Sequence, residues 1–265
     1  MASYALKLDD EEVRRYRTMA QAAVAVERDL WEAAGIRRAA AVADVGCGPG
    51  AVSVLLADVV GSEGQVWAVD ADPQAVKKAA ALAACVGLPN VETVVGDAAA
   101  TGLPVGRLDV AMLRHVLAHN GGREQAIIDH LASLVRPGGC VYLVDADGTA
   151  VHVRPNDRDL DDMHDRYREF HRRRGNDISV GLRLAELLHE AGLDVVDFTG
   201  RYRIEQSEPG LRGPAWAARE AIVKAGLATP ADVGRWSAAF TRADSRPDRP
   251  TWFIPMFIGI GRKLA

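Results

Sequence analysis

Three cysteines in 265 residues are too few, and odd in number, for a disulfide framework, and Cys47, Cys85 and Cys140 lack the paired spacing of a metal site. Reduced thiols in a cytoplasm fit them best. Basic charge is also short. The 32 Lys and Arg against 36 Asp and Glu leave a formal net charge of −4, with no general attraction to a phosphate backbone. A nucleic-acid partner is therefore not expected. No apolar run is long enough to cross a bilayer, so neither is a membrane. The opening residues, "MASYALKLDDEEVRRY", hold no hydrophobic signal core and turn acidic at once, which argues against secretion. Repeats and low-complexity linkers are missing as well. What remains, 48% hydrophobic and 26% charged, is the composition of a globular chain with a sizeable core. The length suits one large domain, or a core carrying a smaller cap.

Helix-start signals come first: Asp9 and Asp10 can cap, Glu11 and Glu12 favour a first turn, and Gly35 ends the pattern. Short Val/Ala/Leu-rich runs then predict strands at about 41–45, 65–69, 91–95, 108–113 and 140–145. Between them lie helices at 51–60, 73–86 (with Pro73 in the first turn) and 122–135. Continuous apolar strands alternating with helices predict an α/β fold, a doubly wound parallel sheet covered on both faces. Right-handed crossovers place the loops after the strands along one edge, where such folds bind ligands. The second half is less regular. A charged helix is expected from about 157 to 174, ended by Gly175. "GLRLAELLHEAGLDVVDFTGRYRI" reads as helix, Gly192 stop and strand. The segment 210–245 reads as two helices broken near Thr229 and Pro230, and "TWFIPMFIGIGRK" as a closing strand. The arrangement expected is a single unit over 1–265: a cofactor core at 36–150, a helical cap from 1–35, 151–180 and 210–245, and closing core elements at 181–209 and 246–265.

The chemistry gathers at "AVADVGCGPGAV", residues 41–52. A glycine loop between a strand and a helix lets a ligand approach the backbone closely. Gly46, Gly48 and Ala51 even fit a dinucleotide fingerprint, with Asp70 placed to hold ribose hydroxyls. Asp44 pulls the other way. Beside a pyrophosphate it is a like charge in a partly desolvated crevice; beside an ammonium or sulfonium it is attractive. Asp97 in "VGDA" could accept a hydrogen bond from an adenine amino group.

Five segments in order resemble the class I S-adenosylmethionine-dependent methyltransferases: "VADVGCGPG", "VWAVDAD", "VVGDA", "RLDVAMLRHVLAHN" and "LVRPGGCVYLVD". The resemblance covers residues 41–145 and extends weakly to the C-terminal segments. It implies a Rossmann-like seven-stranded sheet with its last strand antiparallel, S-adenosyl-L-methionine as cofactor, and the small-molecule branch of the family. It also implies roles. Gly46, Gly48 and Gly50, with Cys47 between them, would lie against the methionine and ribose, and Asp44 would orient the ammonium through neighbours or water. Asp70 would take the ribose hydroxyls, Ala71 and Asp72 border the adenine, and Asp97 with Ala98 hold its amino edge. The Arg114 backbone carbonyl would face the methionine amino group.

Each site has a plainer reading. Asp44 and Asp70 can cap turns, and Gly-Asp is a frequent turn pair. His115 and His119 sit four apart, as ligands on a helix can, but no third and fourth ligand follow, and no metal is expected. His119, just beyond the fourth strand, is the candidate general base, against a histidine that merely packs. His115 reads as structural. Cys47 stands near a helix start, where a thiolate is favoured, but Asp44 opposes that and a small buried residue explains it. "RYREFHRRRG" could be a polyanion patch, or a solvated helix compensated by "DRDLDDMHD". Tyr16, Met19, Tyr167, Phe170, Trp216, Trp236 and Trp252 line a pocket or fill a core.

A sulfonium makes its methyl a good electrophile, so such an enzyme needs mainly alignment and exclusion of water. The lack of an N-P-P-Y-type motif after the fourth strand argues against amide or nucleobase nitrogen, leaving a small organic acceptor. Rival readings are an NAD(P)-dependent oxidoreductase, a methyltransferase-like protein that binds the cofactor without transferring methyl, and a non-catalytic binding protein.

Overall fold

A computed structural model describes residues 10–264. The helix-start residue Asp9, and the side chains of Asp10, Glu11, Glu12 and Met19, lie outside what it describes.

Helix α1 (Asp10–Ala34) leads into β1 (Ala41–Val45), apolar except for Asp44 because both faces are covered. Then follow α2 (Ala51–Val60), β2 (Gln65–Asp70), α3 (Pro73–Cys85), β3 (Val91–Val95) and β4 (Leu108–Arg114). A short 3-10 turn at Leu117–His119 precedes α4 (Glu124–Leu134) and β5 (Val135–Ala146). Strands β1 to β5 pair in parallel in the order β3-β2-β1-β4-β5. The chain thus winds outward in one direction as far as β3, then crosses back to β4. The crevice above β1 and β4 is the topological switch point, where open α/β sheets bind ligands.

The rest of the chain closes the sheet and adds a cap. It comprises β6 (His152–Arg154), α5 (Arg158–Arg173), α6 (Leu184–Glu190), β7 (Asp194–Gln206), α7 (Pro214–Ala217), α8 (Arg219–Lys224), α9 (Pro230–Ser245) and β8 (Thr251–Arg262). Strand β8 lies antiparallel between β5 and β7. The antiparallel last strand is as expected, but the strand count is eight, not seven. The addition is β6, which pairs with Thr251–Phe253 of β8 after β5 has paired with Met256–Arg262. It resumes the line of β5 after a short break, so the sheet is no wider, and three residues carry too little pattern to be read as a strand. The Pro-Gly-Gly turn is also inside β5. The ladder with β4 slips from Leu108–Val135 to Val110–Cys140, which lets Pro137–Gly139 bulge out.

One face of the sheet packs against α1, α2 and α3 through Trp31, Leu56, Val66 and Ala79. The other packs against α4 and α6 through Ile127, Leu131, Leu184 and Leu188. Helices α5, α7, α8 and α9 form a separate apolar cluster around Phe170, Ile222, Trp236 and Phe240, with Tyr167, Trp216 and Trp252 at its edge. The aromatic residues in question are thus chiefly the core of the cap. Among the described residues, none of α1 belongs to that cluster; Trp31 and Ala34, in its second half, pack on the sheet. The break at Thr229 is a reciprocal capping box with Asp232, which starts α9.

Candidate functional site

The loop after β1 is bound to the end of β2. The Gly46 and Cys47 amides donate to the Val69 carbonyl at 2.7 and 3.0 Å. Gly46, Gly48 and Gly50 have φ of +73°, +53° and +80°, a region that excludes most side chains. A Cβ at Gly46 would lie 2.2 Å from Val116 Cγ2, and one at Gly50 would lie 2.9 Å from the Ala79 backbone. At Gly48 it would point at the Tyr16 ring, 3.4 Å away, so α1 crosses over the loop.

Asp70 sits beneath this loop and accepts from two backbone amides, Gly48 at 2.8 Å and Asp72 at 2.9 Å. Burial pushes its carboxyl up, and those amides pull it back. Each oxygen keeps a lone pair for a hydroxyl. Asp72 itself caps α3 by accepting from the Gln74 amide, and Ala71 lies exposed beside them. Asp44 is 2% exposed and accepts from Ser53 Oγ at 2.6 Å. Burial raises its carboxyl to about 6, the Ser53 hydroxyl and Arg114 lower it, and Asp70 adds to the rise. A cation near this pair of acids relieves an electrostatic cost.

Cys47 packs with Ala68 and Ala79, and burial, then Asp44 and Asp70, push its thiol well up. It is a packing residue, with only its backbone in the loop. Asp97 is half-exposed; its Oδ1 accepts from the Ala99 amide at 2.8 Å and from Arg123 at 2.5 Å. That guanidinium holds the Asp97 carboxyl below the usual range. Ala98, next to it, packs against the core.

The Arg114 side chain enters a buried network. Its guanidinium meets both oxygens of Glu27 at 2.5 and 3.1 Å. Tyr142 Oη and Trp31 Nε1 also donate to Glu27 Oε2, at 2.9 and 3.4 Å. This ties α1 to β4 and β5 and leaves the Arg114 carbonyl at the strand end. His115 takes φ +56° and donates its amide to the Val144 carbonyl, a structural part in the exit of β4.

His119 ends the 3-10 turn and faces the cap. Its ring centroid lies 5.1 Å from that of His171 on α5, which in turn is edge-on to Tyr167 at 4.5 Å. The Gly121 amide donates to Asn176 Oδ1, so the Asn176 amide nitrogen faces His171 Nδ1 at 2.9 Å and donates to it. Burial, with His119 and Arg174 nearby, pushes His171 down to about 3. It is neutral, with its proton on Nε2. Under the turn, Asp145 accepts from the Ala118 amide at 3.4 Å and the Ala146 amide at 2.9 Å. Burial raises it to about 7.

The charged run on α5 is compensated as a solvated helix. Glu169 holds Arg172 and Arg173, and Asp165 holds Arg168. Asp157 and Asp159 instead pair with Arg242 of α9. Among the described residues, no three His, Cys, Asp or Glu side chains gather as a metal site, and no helix is long and apolar enough to cross a membrane.

Several of these residues escaped the sequence reading. Ser53, Arg123, His171 and Asn176 carry no local signal, because each meets its partner through tertiary folding. Glu27 did carry one. It falls on the buried stripe of α1 with Ala20, Ala23, Trp31 and Ala34, and an acid on an apolar stripe calls for a partner.

Residues 42–139 match a family model described as a methyltransferase domain. A cobalt-precorrin-6B C(15)-methyltransferase (decarboxylating) assigned in Sulfolobus acidocaldarius is 36% identical over 103 residues, 38% of this chain and 50% of that protein. The chain spans about half the length of the curated relatives it matches. Among solved structures, a protein assigned as a methyltransferase in Bacillus halodurans C-125 superposes with a TM-score of 0.61 at 18% identity, over 91% of this chain and all of that one. The [4+2]-cyclase SpnF superposes with a TM-score of 0.56 at 20% identity, over 92% of this chain and 82% of that one. The fold is the class I methyltransferase fold, and it hosts more than one chemistry.

Proposed function

We propose that this chain, whose residues 42–139 form a methyltransferase domain of the class I type, transfers a methyl group from S-adenosylmethionine to a small organic acceptor held between the His119 turn and the helical cap. The observation that carries the reading is the glycine cradle above Asp44 and Asp70. Its three left-handed glycines, packed against Val116, Tyr16 and Ala79, fix a turn that most side chains cannot adopt, and the buried Asp44 and part-buried Asp70 suit a cationic, hydroxyl-rich ligand and repel a pyrophosphate. The cofactor fits these residues. Asp70 would take ribose hydroxyls, Gly46, Gly48 and Gly50 would line its path, and the Arg114 carbonyl would face its ammonium with Asp44 behind. Asp97 would reach the adenine edge while paired to Arg123. When bound, S-adenosylmethionine supplies a methyl carried on a sulfonium, ready for displacement in line.

The chain's own residues do the remaining work. The clamp of α1 on β4, through Glu27 and Arg114, holds the strand end. Tyr16 covers the loop from outside and keeps water from it. His119 would accept the proton of an acceptor hydroxyl or amine, while neutral His171 is fixed beside it as an Nε2–H donor. Acceptor binding is left to the cap, which is built from the most irregular part of the sequence. Incubation with methyl-labelled S-adenosylmethionine and a panel of phenols, amines and carboxylates tests the reading. Label should appear on an acceptor, and His119→Asn should lower kcat by about 100-fold or more at neutral pH. Cofactor binding with no labelled product across the panel would oppose it.

A further inference from the structure

Strand β7 is long, apolar on one face, and has a ladder partner only in β8 among the described residues. Its regular part begins at Asp197, after a bulge at Val195–Asp197. From there Phe198, Tyr202 and Ile204 point to one face and are 42%, 57% and 61% exposed. Helix α6 packs on this face near Gly259 and Gly261, through Leu184 and Leu188. A long open edge with an apolar stripe is what β-pairing between chains requires.

The sequence of the strand selects its partner. In antiparallel pairing, opposite residues share a face, so a two-fold axis normal to the sheet must pass through a residue that faces itself. With the axis at Gly200, Asp197 meets Arg203 of the second copy, Phe198 meets Tyr202 and Thr199 meets Arg201. By symmetry each contact occurs twice, and no like charges oppose. Moving the axis to Thr199 sets Phe198 against Gly200. Moving it to Arg201 stacks two Arg201 side chains and sets Asp197 against Glu205. Gly200 is also where the Phe257 ring of β8 crosses, 2.8 Å from a Cβ position, so the middle of the stripe is filled from within the chain. We propose that β7 is the interface of a two-fold homodimer, paired edge to edge about Gly200 with reciprocal Asp197–Arg203 and Phe198–Tyr202 contacts. Arg203 has a Glu205 contact of 3.2 Å within the chain, on the same face as Asp197 of the second copy. The pairing joins the two sheets into one and sets the apolar stripes of the two copies side by side as cross-strand neighbours.

Size-exclusion chromatography with light scattering tests this on the full chain. Wild type should be a dimer, and Asp197→Arg and Arg203→Asp should each be monomeric, because each sets like charges opposite one another. Mixed in equal amounts, the two variants should form a dimer, since every arginine then faces an aspartate. Recovery on mixing also shows that both are folded. If either charge variant fails to fold, Tyr202→Lys, at an exposed position, should give a folded monomer. A monomeric wild type, a dimer untouched by these substitutions, or a mixture that stays monomeric would overturn the proposal.

Discussion

Replacing Glu27 by alanine should be among the most damaging single changes in the chain. Its carboxylate takes the Arg114 guanidinium on both oxygens, and Tyr142 and Trp31 donate to it as well. The two ionised side chains are 10% and 6% exposed, so water can replace little of what is lost. Burial opposes the charge on Arg114, yet Glu27 holds its pKa above the ordinary value. Removing one partner of such a pair costs about 3–5 kcal/mol, because the other charge stays buried without its counterion. The stranded Tyr142 hydroxyl falls within that range rather than adding to it, since the groups act as one network. For a chain of this length the loss corresponds to a Tm drop of roughly 6–20 °C. Urea unfolding followed by circular dichroism reads it directly. The paired change Glu27→Leu with Arg114→Met should recover more than half, because an apolar pair needs no counterion. A loss below about 1 kcal/mol in Glu27→Ala, the range of an exposed ion pair, would refute the reasoning and mean that α1 is not clamped to the sheet.

Three further outcomes follow from the same geometry. Gly46→Ala should lose about 1–3 kcal/mol from its left-handed φ and more from the Val116 contact; adding Val116→Ala should recover the second part only, measured by the same unfolding assay. Asp145, raised to about 7 by burial, holds a proton in the native state that the unfolded chain has already released. Its contribution is therefore fully present below the ordinary carboxylate range and falls by about 4 kcal/mol as pH rises to 7 and beyond. Asp145→Asn should flatten that slope in unfolding curves taken between pH 5 and 8. His171 acts in the opposite sense: lowered to about 3, it stays neutral while the unfolded chain takes up a proton below about 6.5. His171→Leu should reduce the loss of stability between pH 6 and 4.

The sheet was legible from Ala41 to Arg114 because its strands there are short Val/Ala/Leu-rich runs alternating with helical stretches, whereas the spatial order that sets the switch point came from the structure. The acids Asp44, Asp70 and Asp97 stood out as charges at or near the ends of apolar runs. Strand β6 was not legible, since three residues define no period. Nor was the fate of the Arg114 side chain, which depends on an acid 87 positions away. His171 and Asn176 lie in a stretch so rich in arginine and aspartate that their pairing has no sequence signal. The cap aromatics were ambiguous in sequence and became core only once α5 and α9 were seen to pack together.

The proposed function requires Asp70, beneath the glycine cradle, to hold a sulfonium cofactor. Calorimetric titration of wild type and Asp70→Ala with S-adenosylmethionine, S-adenosylhomocysteine and NADH tests it most directly. Both sulfur ligands should bind and NADH should not, and the substitution should weaken binding by more than tenfold, about 1.4 kcal/mol. Binding of NADH alone, or cofactor affinity unchanged in Asp70→Ala, would contradict it.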